Sequence, residues 1–242
     1  MSRSVFHLGE VARRIFSLPR DRNLPTLVLD LDETVLHRPR GLLDKIGLYA
    51  WPSTDIGVPY SSFLPCIYRL RENFDIVAVT ARWRFAEANT ARWLSTRGLG
   101  GIPVIYAREI HPGDDSRVDF KASAIRFVRE KGWNPVMGVG DRPSDLSAYV
   151  REGLSAMMVI HAEGSSESRA KEHLQSLLLI ETQLLQDYPG AEVHYFGAKE
   201  LQSLPGLRPG SLMSGGSPLW ELVERKVTAE HALKRTTKKH VI

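Results

Sequence analysis

The stretch LVLDLDETVL, residues 27–36, constrains the fold more than any other part of this 242-residue chain. Residues 27–29 form an apolar run that is typical of a strand buried on both faces. Asp30 ends the run, and the Asp32 side chain points the same way if the backbone stays extended. A carboxylate at the end of a buried strand is costly unless something pairs with it. With Thr34 close by, the stretch indicates either a metal and reaction site or the acidic cap of a following helix.

Strand-length apolar runs alternate with helical patterns through the middle of the chain. Strands are predicted at 75–80, 102–106, 135–139 and 155–160, and helices at 63–73, 83–97, 119–131 and through 149–152. Such alternation is typical of βαβ units, in which helices cover both faces of a parallel sheet. We therefore predict an α/β fold, a Rossmann-like three-layer sandwich with a mostly parallel sheet.

Three polar residues stand at the carboxyl ends of predicted strands: Asp30, Thr80 and Asp141. Ligands of open α/β sheets bind in the crevice beyond the carboxyl ends of the strands. The sequence therefore predicts that these three side chains converge on one crevice, although they are far apart in the chain.

The chain divides into three predicted segments. Residues 1–22 are basic and amphipathic, which fits either a first helix packed on the sheet or an organellar transit peptide. Residues 23–163 hold the alternating pattern, and residues 164–242 are predicted as a helical extension packed on that domain. Within the extension we expect a helix at 166–188, a strand at 193–196, a loop at 204–218 and a basic helix at 219–234.

Charge and composition limit the partners. The formal net charge is +4, and basic residues are concentrated at both ends. Basic ends fit an anionic membrane surface, nucleic acid or merely solvated tails. No apolar run is long enough to span a bilayer, and one cysteine, Cys66, forms no internal disulfide. A soluble intracellular protein is expected, cytoplasmic unless the N-terminus is a transit peptide; the oligomeric state is left open.

Four motifs between residues 24 and 161 together resemble those of the haloacid dehalogenase-like (HAD) phosphatases: DLDET, VTAR, a following lysine and GDRPSD. Each follows a strand or opens a helix. The resemblance implies a HAD-type fold and a phosphomonoester hydrolase that uses Mg²⁺ and forms an aspartyl-phosphate.

The resemblance also implies residue roles. Asp30 is the expected nucleophile, and Asp32 is the expected general acid and then base, supported by Thr34. Thr80 and Lys121 complete the expected catalytic set. The expected phosphate-binding residues are Thr34, Thr80, Ala81 and Arg82. The expected metal ligands are Asp30, the Asp32 backbone carbonyl, Asp141 and Asp145.

Electrostatics supports this set. Three carboxylates, Asp30, Asp141 and Asp145, would repel one another and a bound phosphate at close range, with an energy on the order of several kcal/mol. A hard divalent ion such as Mg²⁺ resolves the repulsion, and one ammonium helps. We expect the pKa of Asp32 to be raised relative to that of Asp30, because the acid must hold a proton.

Two basic side chains have open assignments. Lys121 is preferred as the active-site cation, because a compact ammonium suits the role better, and Arg117, which lies nearby, is the alternative. Arg82 contacts either the substrate phosphate or the acidic pair Asp114 and Asp115.

The space between motifs suggests the substrate. Residues 37–62 hold only a Pro- and Gly-rich flap, in which 53–60 could form a small lid, so we expect little or no cap and a bulky substrate. The motifs show likeness to lipin-type phosphatidate phosphatases and to the phosphatase domain of phage polynucleotide kinase; phosphoprotein is a third choice. A catalytically inactive binding protein and a receiver-like signalling domain are the rivals.

Overall fold

The structure of the chain is a computed structural model, which describes residues 6–18, 24–37, 58–59, 63–109, 113–160, 167–197 and 212–214. The strands are β1 (Phe6–Leu8), β2 (Pro25–Leu29), β3 (Leu36–His37), β4 (Val58–Pro59), β5 (Asp75–Trp83), β6 (Val104–Ala107), β7 (Asn134–Gly140), β8 (Ser155–Val159), β9 (Val193–Gly197) and β10 (Leu212–Ser214). The helices are α1 (Glu10–Phe16), α2 (Phe63–Leu70), α3 (Glu87–Thr96), α4 (Asp114–Glu130), α5 (Pro143–Arg151) and α6 (Glu167–Asp187).

Within the described part of the chain, eight strands form the main sheet in the order β1-β6-β5-β2-β7-β8-β9-β10. Every neighbouring pair is parallel except β1 with β6, which is antiparallel. The strand order reverses direction between β2 and β7, because β5 and β6 lie on one side of β2 and the later strands lie on the other. A crevice for ligands opens at such a reversal, beyond the carboxyl ends of the strands.

Strands such as β2, β6 and β8 are buried on both faces, and alternate residues enter two separate cores. Leu27 and Leu29 of β2 face the core under α2 and α3, whereas Val28 faces the core under α1, α4, α5 and α6. Successive side chains of a strand point to opposite faces, so an uninterrupted apolar run serves both layers. The predicted three-layer α/β sandwich with a mostly parallel sheet is confirmed.

Two element boundaries differ from the predictions. β5 continues to Trp83, and a 3₁₀ turn at Arg84–Ala86 precedes α3, so no helix starts at residue 83. α4 begins at Asp114 rather than near 119, because the acidic pair that we assigned to a turn forms its first helical turn. Acidic side chains are favourable there, next to the positive end of the helix dipole.

The N-terminal segment contributes to the fold. Residues of β1 extend the edge of the sheet beside β6, and α1 packs Phe16 edge-on against Phe127 and Trp133. The sequence suggested a first helix packed on the sheet, which is present, but it did not suggest the strand before it. Beyond residue 160, β9 and β10 extend the same sheet, so the division predicted at 163 and 164 falls within one continuous sheet.

Some predictions fall outside the described residues. They include most of the flap with its proposed lid, the basic helix at 219–234, and the loop at 204–218 apart from β10, which is a strand rather than a loop. The described ends of the flap, β3 and β4, pair with each other in antiparallel fashion.

Among the helices described, none combines the length and the apolar character that a membrane crossing requires.

We expect Gly138→Ala to lower the free energy of unfolding by about 1–3 kcal/mol, which urea denaturation would measure. A Cβ atom at Gly138 would lie 2.2 Å from the Tyr149 ring, and both groups are buried between β7 and α5. Gly190→Ala is the matched control, because the space that a Cβ atom would occupy there is open, with no other group within 4 Å. Equal stability of the two variants would contradict the packing argument.

Candidate active site

Asp30 stands at the carboxyl end of β2, where the sheet order reverses. Its backbone N–H donates to the Val139 carbonyl of β7 at 2.9 Å, so the two strands remain paired up to the crevice. Its buried carboxylate accepts a hydrogen bond from Lys121 Nζ, with 2.7 Å between Nζ and Oδ1. Among the described residues, no hydrogen bond reaches the other oxygen, Oδ2. That oxygen is therefore available to a ligand.

Lys121 joins three elements of the fold. It lies on α4, and its ammonium also donates to Asp145 Oδ1 on α5. Burial lowers the pKa of Lys121, but the Asp145 and Asp30 carboxylates outweigh burial and raise it above its ordinary value. The lysine is therefore a fixed positive charge in the crevice.

Asp145 organises the turn between β7 and α5. Its Oδ2 accepts hydrogen bonds from the backbone N–H groups of Asp141 and Arg142, each at 3.2 Å. The turn also needs glycine at 140, because a Cβ atom there would lie 2.5 Å from Asp145 Oδ2. Both Asp145 oxygens thus accept hydrogen bonds from the protein, which makes this residue a support for Lys121 and for the turn.

Asp141 directly follows β7 and lies close to Asp30 across the sheet reversal. Its Oδ1 accepts a hydrogen bond from the Thr34 hydroxyl at 3.3 Å. Thr34 reaches this position because the chain turns sharply after Asp32, with Glu33 in the left-handed region at φ 56°. Thr34 therefore contacts Asp141 in addition to any support that it gives Asp32.

The Asp30, Asp141 and Asp145 carboxylates could hold a metal ion. One oxygen from each lies within 4.8 Å of the others. Burial raises the pKa of Asp30 to about 6, an effect that Lys121 opposes and the neighbouring acids increase. Burial, Asp145 and Asp30 likewise raise the pKa of Asp141 well above its ordinary value. Negative charge therefore exceeds the charge of the lysine in contact, and this all-oxygen set fits a hard divalent cation such as Mg²⁺.

Arg82 holds Asp32. The guanidinium donates two hydrogen bonds to the Asp32 carboxylate, Nε to Oδ2 at 3.0 Å and Nη2 to Oδ1 at 2.7 Å. A third hydrogen bond runs from Nη1 to the Thr90 hydroxyl at 3.1 Å, and the arginine is buried. The alternative in which Arg82 contacts the acidic pair is therefore wrong: its fork of donors is directed at Asp32, and Asp114 pairs with Arg117 instead. The phosphate-binding role of Arg82 remains a prediction.

The predicted order of the Asp30 and Asp32 pKa values remains a prediction. We expect the pKa of Asp32 to be raised relative to that of Asp30, because the general acid must hold a proton. In the structure, burial raises the pKa of Asp30 to about 6, and Asp32 is paired with the buried Arg82 guanidinium. This pair forms because Arg82, two residues after Thr80 on β5, is directed at Asp32 rather than at the acidic loop.

The other predicted positions lie on α4 and β5. Lys121, rather than Arg117, reaches Asp30, because Arg117 Nη1 bonds to Asp114 at 2.9 Å near the start of α4. Thr80 is buried in β5, where its hydroxyl accepts the Arg82 N–H at 3.3 Å, and Ala81 lies between the two, half-buried. The phosphate-binding roles of Thr80 and Ala81 remain predictions.

His173 of α6 reaches the site, and sequence reasoning did not identify it. Its Nε2 lies 2.6 Å from the Asp141 carbonyl oxygen. Because a carbonyl only accepts, Nε2 must carry the proton. Burial lowers the pKa of His173, which favours this neutral donor. No local signal could have found it, since the helix pattern around it describes only packing and 32 residues separate it from Asp141.

Among known proteins, only solved structures were found to be similar to this chain, and the similarity is one of fold. No family model and no curated protein matches the chain. A chain named in a Pnkp1/Rnl/Hen1 complex is 13% identical with a TM-score of 0.45, and the match covers 57% of this chain. This protein spans about half of that relative, since the match covers 47% of it.

Phosphatases are among the other similar structures. D,D-heptose 1.7-bisphosphate phosphatase from B. bronchiseptica, complexed with magnesium and phosphate, is 18% identical, with a TM-score of 0.48 over 68% of this chain and 99% of that one. Class C acid phosphatase from Bacillus anthracis with tungstate bound is also 18% identical, with a TM-score of 0.37 over 72% of this chain and 68% of that one.

We expect Arg82→Met to lower the free energy of unfolding by about 3–5 kcal/mol, because it leaves the Asp32 carboxylate buried without its guanidinium partner. Adding Asp32→Asn should recover part of this loss, since the uncompensated charge is then removed. Urea denaturation of the two single variants and the double variant gives the coupling energy, which we expect to be about 1–3 kcal/mol.

Arg69→Met is the control for this cycle, because Arg69 forms an exposed pair with Glu72 within one helical turn. We expect it to change the free energy of unfolding by less than about 1 kcal/mol. Strict additivity of the Arg82 and Asp32 variants would contradict the pairing described above.

Without divalent ions, we expect the folded protein to lose stability as the pH rises from about 4 to about 6. The folded protein retains the Asp30 proton up to about pH 6, whereas the unfolded chain releases it near the ordinary value of 3.8. Raising the pH through this window therefore favours unfolding, by about 1–3 kcal/mol. Urea denaturation in EDTA at several pH values checks this; Asp30→Asn should show a smaller decrease, and an equal decrease would contradict it.

Proposed function

We propose that this chain is a phosphomonoester hydrolase of the HAD-like superfamily, acting through an aspartyl-phosphate on Asp30. The observation that carries the proposal is the cluster of three buried carboxylates in contact with a buried lysine at the reversal of the sheet. Such a cluster is short of positive charge and is open at Asp30 Oδ2. A divalent cation and a phosphoryl group complement it in charge and in the oxygen ligands they need.

Asp30 acts as the nucleophile in this proposal. One of its carboxylate oxygens forms a bond to phosphorus while the bond from phosphorus to the departing oxygen breaks. Lys121 keeps the carboxylate oriented through Oδ1 and leaves Oδ2 for the attack. The same ammonium offsets part of the charge that the phosphoryl group brings into the crevice. The backbone of Ala81 and the hydroxyl of Thr80 are the proposed phosphate contacts.

Asp32 moves the protons. It gives a proton to the departing oxygen in the first step and removes one from water in the second, when water oxygen bonds to phosphorus and Asp30 is released. The Arg82 pair supports the second role directly, because it favours the ionised, proton-accepting form. The first role requires Asp32 to be protonated in competition with Arg82, so we expect departure of the substrate oxygen to be the demanding step.

The proposed cofactor is Mg²⁺. Its ligands would be the Asp30, Asp141 and Asp145 carboxylates with the backbone carbonyl of Asp32. When bound, the ion neutralises charge and allows the acidic crevice to accept an anionic phosphate. Thr34, through its bond to Asp141, holds that carboxylate towards Asp30.

We propose a bulky or macromolecular substrate, either a lipid phosphate or the phosphorylated end of a nucleic acid. Only residues 38–57 separate β3 from β4, and the described elements from β5 to α4 are those of the sheet and its helices, so we expect no large cap in either segment. Basic residues near both ends of the sequence suit either anionic substrate.

Asp30→Asn should reduce phosphate release by about 10³-fold or more, because an amide cannot act as the nucleophile. Turnover is measured with an aryl phosphate, phosphatidate, a 3′-phosphorylated oligonucleotide, a phosphopeptide and sugar phosphates, each with Mg²⁺ and with EDTA. Activity that requires Mg²⁺ and favours one of the large substrates is the expected result. Asp32→Asn should also lose turnover, which a receiver-like domain would not require.

The matched control is Asp119→Asn, which makes the same chemical change at an exposed position on α4. It should retain wild-type turnover. A folded wild-type protein without activity on any substrate, with or without Mg²⁺, would overturn the proposal in favour of an inactive scaffold that binds a partner.

A further inference from the structure

The peptide unit that follows Asp141 is held on both sides by side chains from other elements. On one side, the Arg142 N–H donates to Asp145 Oδ2 at 3.2 Å. On the other, the Asp141 carbonyl oxygen accepts the hydrogen bond from His173 Nε2 at 2.6 Å. A peptide unit is planar, so fixing both its N–H and its carbonyl oxygen fixes the rotation of the backbone at Asp141.

This rotation matters because the backbone at Asp141 sets the direction of its carboxylate. The Asp30, Asp141 and Asp145 carboxylates repel one another, and this repulsion contributes to the raised pKa values of Asp30 and Asp141. Without a restraint, the turn could relieve the repulsion by swinging the Asp141 side chain outwards. The two hydrogen bonds on the following peptide unit oppose that movement before any cation is present.

His173 is itself firmly placed. On α6, the neighbouring Leu174 and Leu177 are completely buried in the core beneath the sheet. Further along the same helix, buried Glu181 accepts a hydrogen bond from the Tyr195 hydroxyl of β9 at 2.6 Å. The helix is thus anchored to the sheet on the C-terminal side of His173, and the imidazole is presented to the turn from a rigid element.

We propose that His173 is a positioning residue of the metal site, through which the C-terminal extension sets the affinity of the acidic cluster for Mg²⁺. The inference rests on the proposed function in that it takes the cluster to be a Mg²⁺ site. It assigns to α6, which lies outside the four motifs, a part in orienting the Asp141 carboxylate of the crevice. Removing a residue that orients a metal ligand in this way commonly weakens metal binding by about 10- to 100-fold.

The test compares three variants of the full chain by titration calorimetry with MgCl₂. His173→Phe keeps a ring of similar shape but removes the donor, and His173→Gln returns an N–H group at nearly the same reach. Gln175→Ala, at an exposed position two residues further along α6, is the matched control. Urea denaturation in EDTA shows whether each variant is folded and equally stable.

We expect His173→Phe to bind Mg²⁺ about 10-fold more weakly, with His173→Gln closer to wild type and Gln175→Ala unchanged. The Mg²⁺ concentration for half-maximal turnover should rise in parallel for the phenylalanine variant. Equal Mg²⁺ affinity of His173→Phe and wild type would overturn the inference while leaving the proposed function intact. Absence of Mg²⁺ binding by the wild-type protein would overturn both. If His173→Phe fails to fold, a similar loss of affinity in His173→Ala, recovered by the glutamine variant, supports the inference, and its absence overturns it.

Discussion

The contact of one buried ammonium with two carboxylates is the interaction on which the crevice depends. Lys121 donates to Asp30 and to Asp145, and thereby ties α4 to the end of β2 and the start of α5. Removing the lysine would leave two buried carboxylates without their nearest cation. An uncompensated buried charge strongly destabilises a folded protein. The parallel sheet makes the contact possible, because its crossover connections bring these three elements to the same edge.

Arg82 and Lys121, two buried cations of the crevice, pair with carboxylates in different ways. Arg82 forms a two-pronged pair with Asp32, so that acid is matched charge for charge. Lys121 divides its charge between two acids, while the Asp141 carboxylate accepts from the Thr34 hydroxyl, so that side remains short of positive charge. The proposed cation and the proposed proton transfer by Asp32 would thus lie on different sides of the crevice. The two cations pair differently because a guanidinium has a planar fork of donors that matches a carboxylate, whereas an ammonium is a compact point charge.

Much of this arrangement could be predicted from sequence, because the apolar runs and the residues that end them follow from local chemistry. Asp30 and Asp141 converge as the strand rule predicts, and Lys121, preferred over Arg117 because a compact ammonium suits the role, contacts Asp30. Thr80 was predicted at a strand end but lies within β5, which continues to Trp83. The partner of Arg82 could not be predicted, since a side chain with several rotatable bonds can turn towards either of two acidic groups. The His173 contact was equally hidden, because it depends on how α6 packs and not on the residues around it.

The antiparallel strand β1 has a consequence for how the molecule behaves beside its neighbours. Its residues Phe6, His7 and Leu8 pair with Ala107, Tyr106 and Ile105 along the outer side of β6. That side would otherwise present an open row of backbone donors and acceptors on an apolar strand, which invites pairing with the strands of other molecules. Removing the first eight residues would therefore expose this edge and promote self-association, which lowers solubility and alters crystallisation. A tag or truncation at this end should change self-association before it changes the acidic crevice.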